Sequence, residues 1–476
     1  MASGELIVGG LESLADIIGV PTDALRLLIS LFLGFPLALF HREILYGKNP
    51  TIQHYYFIIC GLVLGFWNYE WSILHSIFTL LITYGIFSVF GNRSSSVVAT
   101  FIFNMGYLLC GYYATATDDY DIKWTMPQCV LTLRLIGLSF NLADSTKPED
   151  KLSDTQKTTM LHEKPSLLEM TAFVYFPGSF LIGPQFSMRR YLDYVNGKLM
   201  ETKLDVTGLK VKPNSLMLGI NRALIGIVYA AMYKIGTQYV SNEYLTSSEY
   251  DQLGIIKRCF FLGLWGRCTL YKYISCWLIT EGVCIVFGIT YNGKDEHGCE
   301  KWDGCANVNL LTFENATEFN HYIMSFNINT NYWCSEYIYK RLKFLGSKVY
   351  SQIVTLLFLA IWHGLHSGYY LCFFQEFIIM YLEKDLKPVL VKNETLQKLM
   401  KENFLFKLLI WSILKIYTFV FMGYSLIPFT LLSYSRYVKV YRSVYFIGHI
   451  IFLSYPLLAP FIKRLIRPHK KRSQTD

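Results

Sequence analysis

Long apolar runs separated by short polar breaks dominate the chain. The runs fall at 25–40, 55–67, 73–90, 97–113 and 126–142, and, after a polar interval, at 167–182, 216–240, 260–289, 349–382, 404–432 and 444–462. A helix needs roughly 20 apolar residues to cross the hydrocarbon core of a bilayer. Continuous runs of this length exclude a spanning β-barrel, whose strands are short and alternate in polarity. The pattern therefore predicts an all-α, polytopic integral membrane protein with about ten or eleven transmembrane helices. Two of the longer runs exceed a single crossing and predict paired helices or a re-entrant element.

Polar stretches divide the chain. Residues 144–165 carry Lys147, Glu149, Asp150, Lys151 and Asp154 and predict a water-exposed loop. That loop separates an N-terminal bundle at 1–143 from a second bundle at 166–462, followed by a basic tail at 463–476. A second polar stretch at 292–309 is too poor in apolar residues to build a core of its own. No internal repeat is visible, so all these parts belong to a single membrane-embedded domain.

Composition agrees with a bilayer protein: 53% of residues are hydrophobic and only 17% charged, against about 25% charged in ordinary soluble domains. The 35 Tyr, 34 Phe and 9 Trp suit packing in lipid and anchoring at the interface. The net charge of +9 is spread thinly and is densest in the tail, at Arg464, Arg467, Lys470, Lys471 and Arg472. Lys and Arg beside a span end mark the cytoplasmic side. Nucleic-acid binding would instead show a basic face on a soluble domain. The first twenty residues carry Glu5, Glu12 and Asp16 with no basic start, so no cleavable signal sequence is expected.

Most of the 11 cysteines lie in apolar segments and are expected to be reduced. Cys299 and Cys305 share a polar loop, where a disulfide or nothing is expected, because no metal-ligand spacing surrounds them. No metal site is predicted. Glycosylation patterns stand at Asn92, Asn315 and Asn393 and count only where the loop faces a lumen.

Candidate chemistry concentrates in two segments. Residues 357–373 read LFLAIWHGLHSGYYLCF and place His363 and His366 within an apolar run. Ionisable groups at membrane depth usually line a cavity or pathway, and histidine moves protons near neutral pH. His363 is the candidate base, and His366 caps or packs beside it. Upstream, residues 325–342 read SFNINTNYWCSEYIYKRL. Here Asn327, Asn329 and Asn331 offer amide donors able to polarise a carbonyl, or simply cap a helix start. Trp333, Tyr337 and Tyr339 supply apolar walls with polar tips. Lys340 and Arg341 are candidates for meeting phosphates, or ordinary positive-inside residues. Arg134, Arg222 and Glu281 lie in or near apolar runs and either line a cavity or, for the arginines, snorkel.

The block WHGLHSGYY, preceded by NYW and EYIYKRL, resembles the signature of membrane-bound O-acyltransferases, specifically their lysophospholipid branch. The resemblance extends over nearly the whole chain, with FPGSFLIGPQFSMRRY at 176–191 as a weaker match. It implies a helical bundle enclosing a catalytic chamber, with His363 as central residue. The family's partner asparagine stands six positions before a Trp and ten before a Tyr, which selects Asn327, with Trp333 and Tyr337 at those offsets. Trp362, His366, Lys340 and Arg341 are the further candidates for contacting substrate. The pair is 36 residues apart (363 minus 327), so a turn near Gly346 and Ser347 must fold them together.

What the resemblance implies is transfer of a fatty acyl group, polyunsaturated chains included, from acyl-CoA to the sn-2 hydroxyl of a lysophospholipid such as lysophosphatidylcholine. Acyl-CoA is then a co-substrate, and no cofactor is needed. The expected setting is the endoplasmic reticulum membrane, with lysophospholipid and membrane lipids as partners, no nucleic acid, and homo-oligomerisation left open. An acceptor of another kind (sterol, diacylglycerol or protein) is the alternative, although the FYxDWWN-type block of the sterol and diacylglycerol branch is absent. A lipid transporter is a further rival, and would predict paired halves that this sequence lacks. Covalent catalysis through Cys334 would require an activating partner that the sequence does not supply.

Overall fold

The computed structural model describes residues 2–117, 122–200 and 214–466. The tail cations Arg467, Lys470, Lys471 and Arg472 lie outside the described residues. Among the described residues the chain is helical throughout, with two isolated β-bridges, Lys294 with Glu300 and Val308 with Phe326. Eight helical stretches are long and apolar enough to cross a membrane. The longest of these, Pro50–Phe90, bends at Glu70 (φ 49°) into the helices Pro50–Tyr69 and Leu74–Phe90. Local sequence starts and stops these elements. Asn49 accepts a hydrogen bond from Thr51 N with Pro50 just inside the helix, and Gly288 ends the Ile255–Phe287 helix in the left-handed conformation.

Two helices form the core of the bundle. Thr125–Asp144 and Ile255–Phe287 bury 83% and 78% of their most apolar windows inside the protein, whereas Phe404–Leu431 buries 6%. The outer helices leave Leu457 84% exposed, Val89 78% and Phe404 74%, a surface that only hydrocarbon can cover at low cost. In hydrocarbon, helices associate by close packing at small residues. Gly266 and Gly423 show this directly, because a Cβ added to Gly266 would stand 2.4 Å from the Gly423 Cα. Gly219 and Gly282 form a second such seam, joining Leu216–Tyr239 to Ile255–Phe287.

Two expectations need correction, and a third, paired helices in a long run, is borne out. The run at 167–182 is not a span: a short helix, Leu167–Val174, gives way to non-helical chain. The reason is Arg134, 4% exposed, whose guanidinium donates to the carbonyls of Phe173, Val174, Ser179 and Pro184 and to the Ser179 and Gln185 side chains. A buried cation satisfied by carbonyls needs them released from helical bonding, so Arg134 is a strut of the fold and neither snorkels nor lines a cavity. The run at 260–289 is one continuous helix, Ile255–Phe287. The run at 349–382 is two, Lys348–His363 and Ser367–Val391, broken at Gly364, whose φ of 143° suits glycine.

All 11 cysteines are free, Cys299 exposed and Cys305 buried, so no disulfide joins the loop pair. Burial pushes the Cys305 thiol up to about 11, which keeps it neutral.

Candidate functional site

His363 is the last residue of Lys348–His363. Its Nδ1 lies 2.7 Å from the Leu359 carbonyl one turn back. A carbonyl only accepts, so Nδ1 carries the proton and Nε2 is left with a free lone pair. The ring is enclosed by Trp362, Phe373, Phe429 and Tyr369, with centroids 4.6, 5.1, 5.2 and 5.8 Å away. It nevertheless keeps accessible surface.

Asn327 precedes Ile328–Tyr337 and adopts left-handed backbone angles, φ 51° and ψ 44°. Gly346 (φ 68°) ends the turn after this helix, and the Ser347 side chain caps Lys348–His363, so the fold turns where the sequence places it. The two helices run antiparallel, and the Trp333 and Phe358 rings stack between them with centroids 5.7 Å apart. Six residues back from Trp333 is Asn327, and six residues on from Phe358 is Gly364. The stacked pair therefore lies six residues along the chain from Asn327 and five from His363.

The three asparagines have separate tasks. Asn329 Nδ2 donates to the carbonyls of Cys305 and Ala306, and Asn331 Nδ2 to those of Ile323 and Phe326. Both are spent on the backbone. Asn327 accepts from Asn307 Nδ2 at 3.5 Å through its Oδ1, and its own amide N–H groups bond no acceptor among the described residues.

Trp333 and Trp362 are wall residues anchored to the Thr125–Asp144 helix, their indole N–H groups donating to the carbonyls of Leu133 and Cys129. Tyr337 likewise donates to Asn141 Oδ1 at 2.7 Å. Their polar tips are therefore committed to the protein. Arg341 forms a two-pronged pair with Asp144, 2.6 Å at each oxygen, and Lys340 pairs with Glu336. Both cations are thus paired with carboxylates of the protein. His366 begins Ser367–Val391, half-buried, its ring 6.3 Å from Tyr369. Cys334 is 2% exposed and sits in an apolar cluster with no basic neighbour among its hydrogen-bonding partners, so it lacks the setting of a nucleophile.

Sequence reasoning missed two residues here. Glu376 lies three residues beyond Phe373 and is near enough to Cys334 to act on it electrostatically. Asn307 was passed over because its only signal is a polar residue in a polar loop.

His363 Nε2 and the Asn327 amide N–H groups thus stay outside the hydrogen bonding of the described residues. The membrane-bound O-acyltransferase family model matches residues 109–427, and the chain belongs to that family. It is 43% identical to lysophospholipid acyltransferase 5 of Bos taurus over 97% of this chain and 94% of the relative. The relative of the same name in Drosophila melanogaster is 40% identical over 92% and 87%. A lysophospholipid acyltransferase of Schizosaccharomyces pombe is 26% identical over 93% and 87%.

Proposed function

We propose that the protein transfers a fatty acyl group from acyl-CoA to the free hydroxyl of a lysophospholipid, as a phospholipid-remodelling enzyme. The observation that carries this reading is the His363 tautomer: Nδ1–H is engaged by Leu359 O, so Nε2 is a base among the rings of Trp362, Tyr369, Phe373 and Phe429. Nε2 takes the acceptor's hydroxyl proton as that oxygen attacks the thioester carbonyl. The Asn327 amide donates to the oxyanion that forms. Collapse breaks the carbon–sulfur bond, and the imidazolium returns its proton to the leaving CoA thiolate, so charge and protons balance. The names of the relatives support a lysophospholipid acceptor, and lysophosphatidylcholine with polyunsaturated acyl-CoA is the pair to try first. The endoplasmic reticulum membrane is the setting that suits this reaction, with no metal or cofactor required.

The test is acyl transfer from arachidonoyl-CoA to lysophosphatidylcholine by purified protein in detergent. His363→Ala is expected to lower kcat by about a hundred- to ten-thousand-fold with the protein still monodisperse. Turnover by that variant near the parent rate would overturn the assignment of the base. An inactive parent across several lysophospholipids would redirect the search to sterol, diacylglycerol and protein acceptors.

A further inference from the structure

We propose that Asn307 is a positioning residue for the reaction, orienting the Asn327 amide, and that the buried Arg222–Glu281 ion pair anchors it. The proposal rests on Asn327 as the oxyanion donor and adds what holds that donor in place.

Hydrogen bonds make the connection at every step. Glu281 lies inside the Ile255–Phe287 helix and is 2% exposed. Its Oε2 accepts from Arg222 Nε at 2.7 Å, and its Oε1 accepts from the backbone N–H groups of Asn307 and Val308 at 2.6 and 3.0 Å. Arg222 completes the clamp by donating to the Val308 carbonyl at 2.6 Å. A carboxylate at this depth is costly unless its oxygens are filled. Here they are filled by one guanidinium and two amides of a loop, so the charge fixes the loop as firmly as it fixes the arginine.

Asn307 then turns that fixed loop toward the site. Its backbone carbonyl accepts from Ile328 N at 3.0 Å, and its side-chain Oδ1 accepts from Asn329 N at 3.0 Å. These two bonds take up N–H groups in the first turn of Ile328–Tyr337, which a helix start leaves without intrahelical partners, and they hold Asn327 in its left-handed conformation. The remaining group, Nδ2, points to Asn327 Oδ1 at 3.5 Å. An amide whose oxygen faces a donor presents its own N–H groups elsewhere. The oxyanion needs a donor, and Asn307 is the neighbour that decides which end of the Asn327 amide is offered.

The experiment is a double-mutant cycle on the purified full-length protein, with kcat and KM for both substrates. Asn307→Ala is expected to lower kcat by about tenfold to a hundredfold, with either KM changed less than about threefold. In an Asn327→Ala background, whose residual turnover comes from the intact His363, the same substitution is expected to cost less than about twofold, because nothing is left to orient. Equal losses in both backgrounds would show a structural role alone and overturn the proposal. So would an Asn307→Ala enzyme within twofold of the parent. If Asn307→Ala is not monodisperse, Asn307→Ser, whose hydroxyl still meets Asn329 N–H, goes through the same cycle. Full activity in Asn327→Ala would instead sink the oxyanion assignment itself.

Discussion

The backbone bond from His363 to Leu359 lets a short-range feature decide a chemical one. A histidine in the last turn of a helix finds a carbonyl one turn back, and taking it fixes which nitrogen is basic. The asparagines show the opposite lesson, since three identical side chains at alternate positions do different work. Replacing Asn327 with Ala is expected to reduce kcat by about a hundred- to a thousandfold, with a smaller stability cost of about 1 kcal/mol for Ala in left-handed backbone. Asn329→Ala should do the reverse: it removes two bonds to buried carbonyls, lowers stability by about 1–3 kcal/mol and leaves kcat per folded molecule close to normal. Thermal unfolding beside steady-state kinetics separates the two. His363 and Asn327 were legible from the sequence because the family spacing selects them. Asn307 was not, because its meaning depends on a carboxylate 26 residues away in another helix.

Most of the helices follow from the apolar runs, because a bilayer leaves the backbone no alternative to internal hydrogen bonding. The failure at 167–182 arose where a buried side chain overrides the backbone: Arg134 claims carbonyls that a helix would keep, and hydropathy cannot register a demand made from another segment. The break in 349–382 was partly visible in Gly364 and Gly368. The close seams between helices were invisible, since a glycine that admits a neighbouring backbone looks like any other. Gly423 is one instance, as an added Cβ would lie 2.3 Å from the Leu262 carbonyl oxygen. Gly423→Ala should force Phe404–Leu431 away from Ile255–Phe287 and cost about 1–3 kcal/mol. Gly85→Ala has open space around it and should be neutral. Melting temperatures of the two variants, measured in the same detergent, check the contrast.

At the scale of the molecule, the Arg341–Asp144 pair ties the end of the N-terminal bundle to the turn behind the asparagine helix. Asp144 is 1% exposed at its side chain, so Arg341→Ala leaves a buried carboxylate with Lys147 and the Gln156 amide beside it. Loss of about 3–5 kcal/mol is expected, with KM for acyl-CoA within about twofold of the parent in whatever protein folds. A large rise in that KM would return Arg341 to the phosphate-binding role. The division of the chain into two bundles, drawn from the polar loop at 144–165, is therefore a division of sequence that the structure bridges by charge. The stacked rings of Trp333 and Phe358 carry a further consequence. They act as the gauge block between two limbs of a hairpin, so chain length on either side of them matters unequally. One residue added between Asn327 and Trp333, or between Phe358 and His363, slides one reacting group past the other by a full helical step and swings it around the axis. One residue added at Gly346 and Ser347 lengthens only the bend and leaves the spacing along both limbs intact.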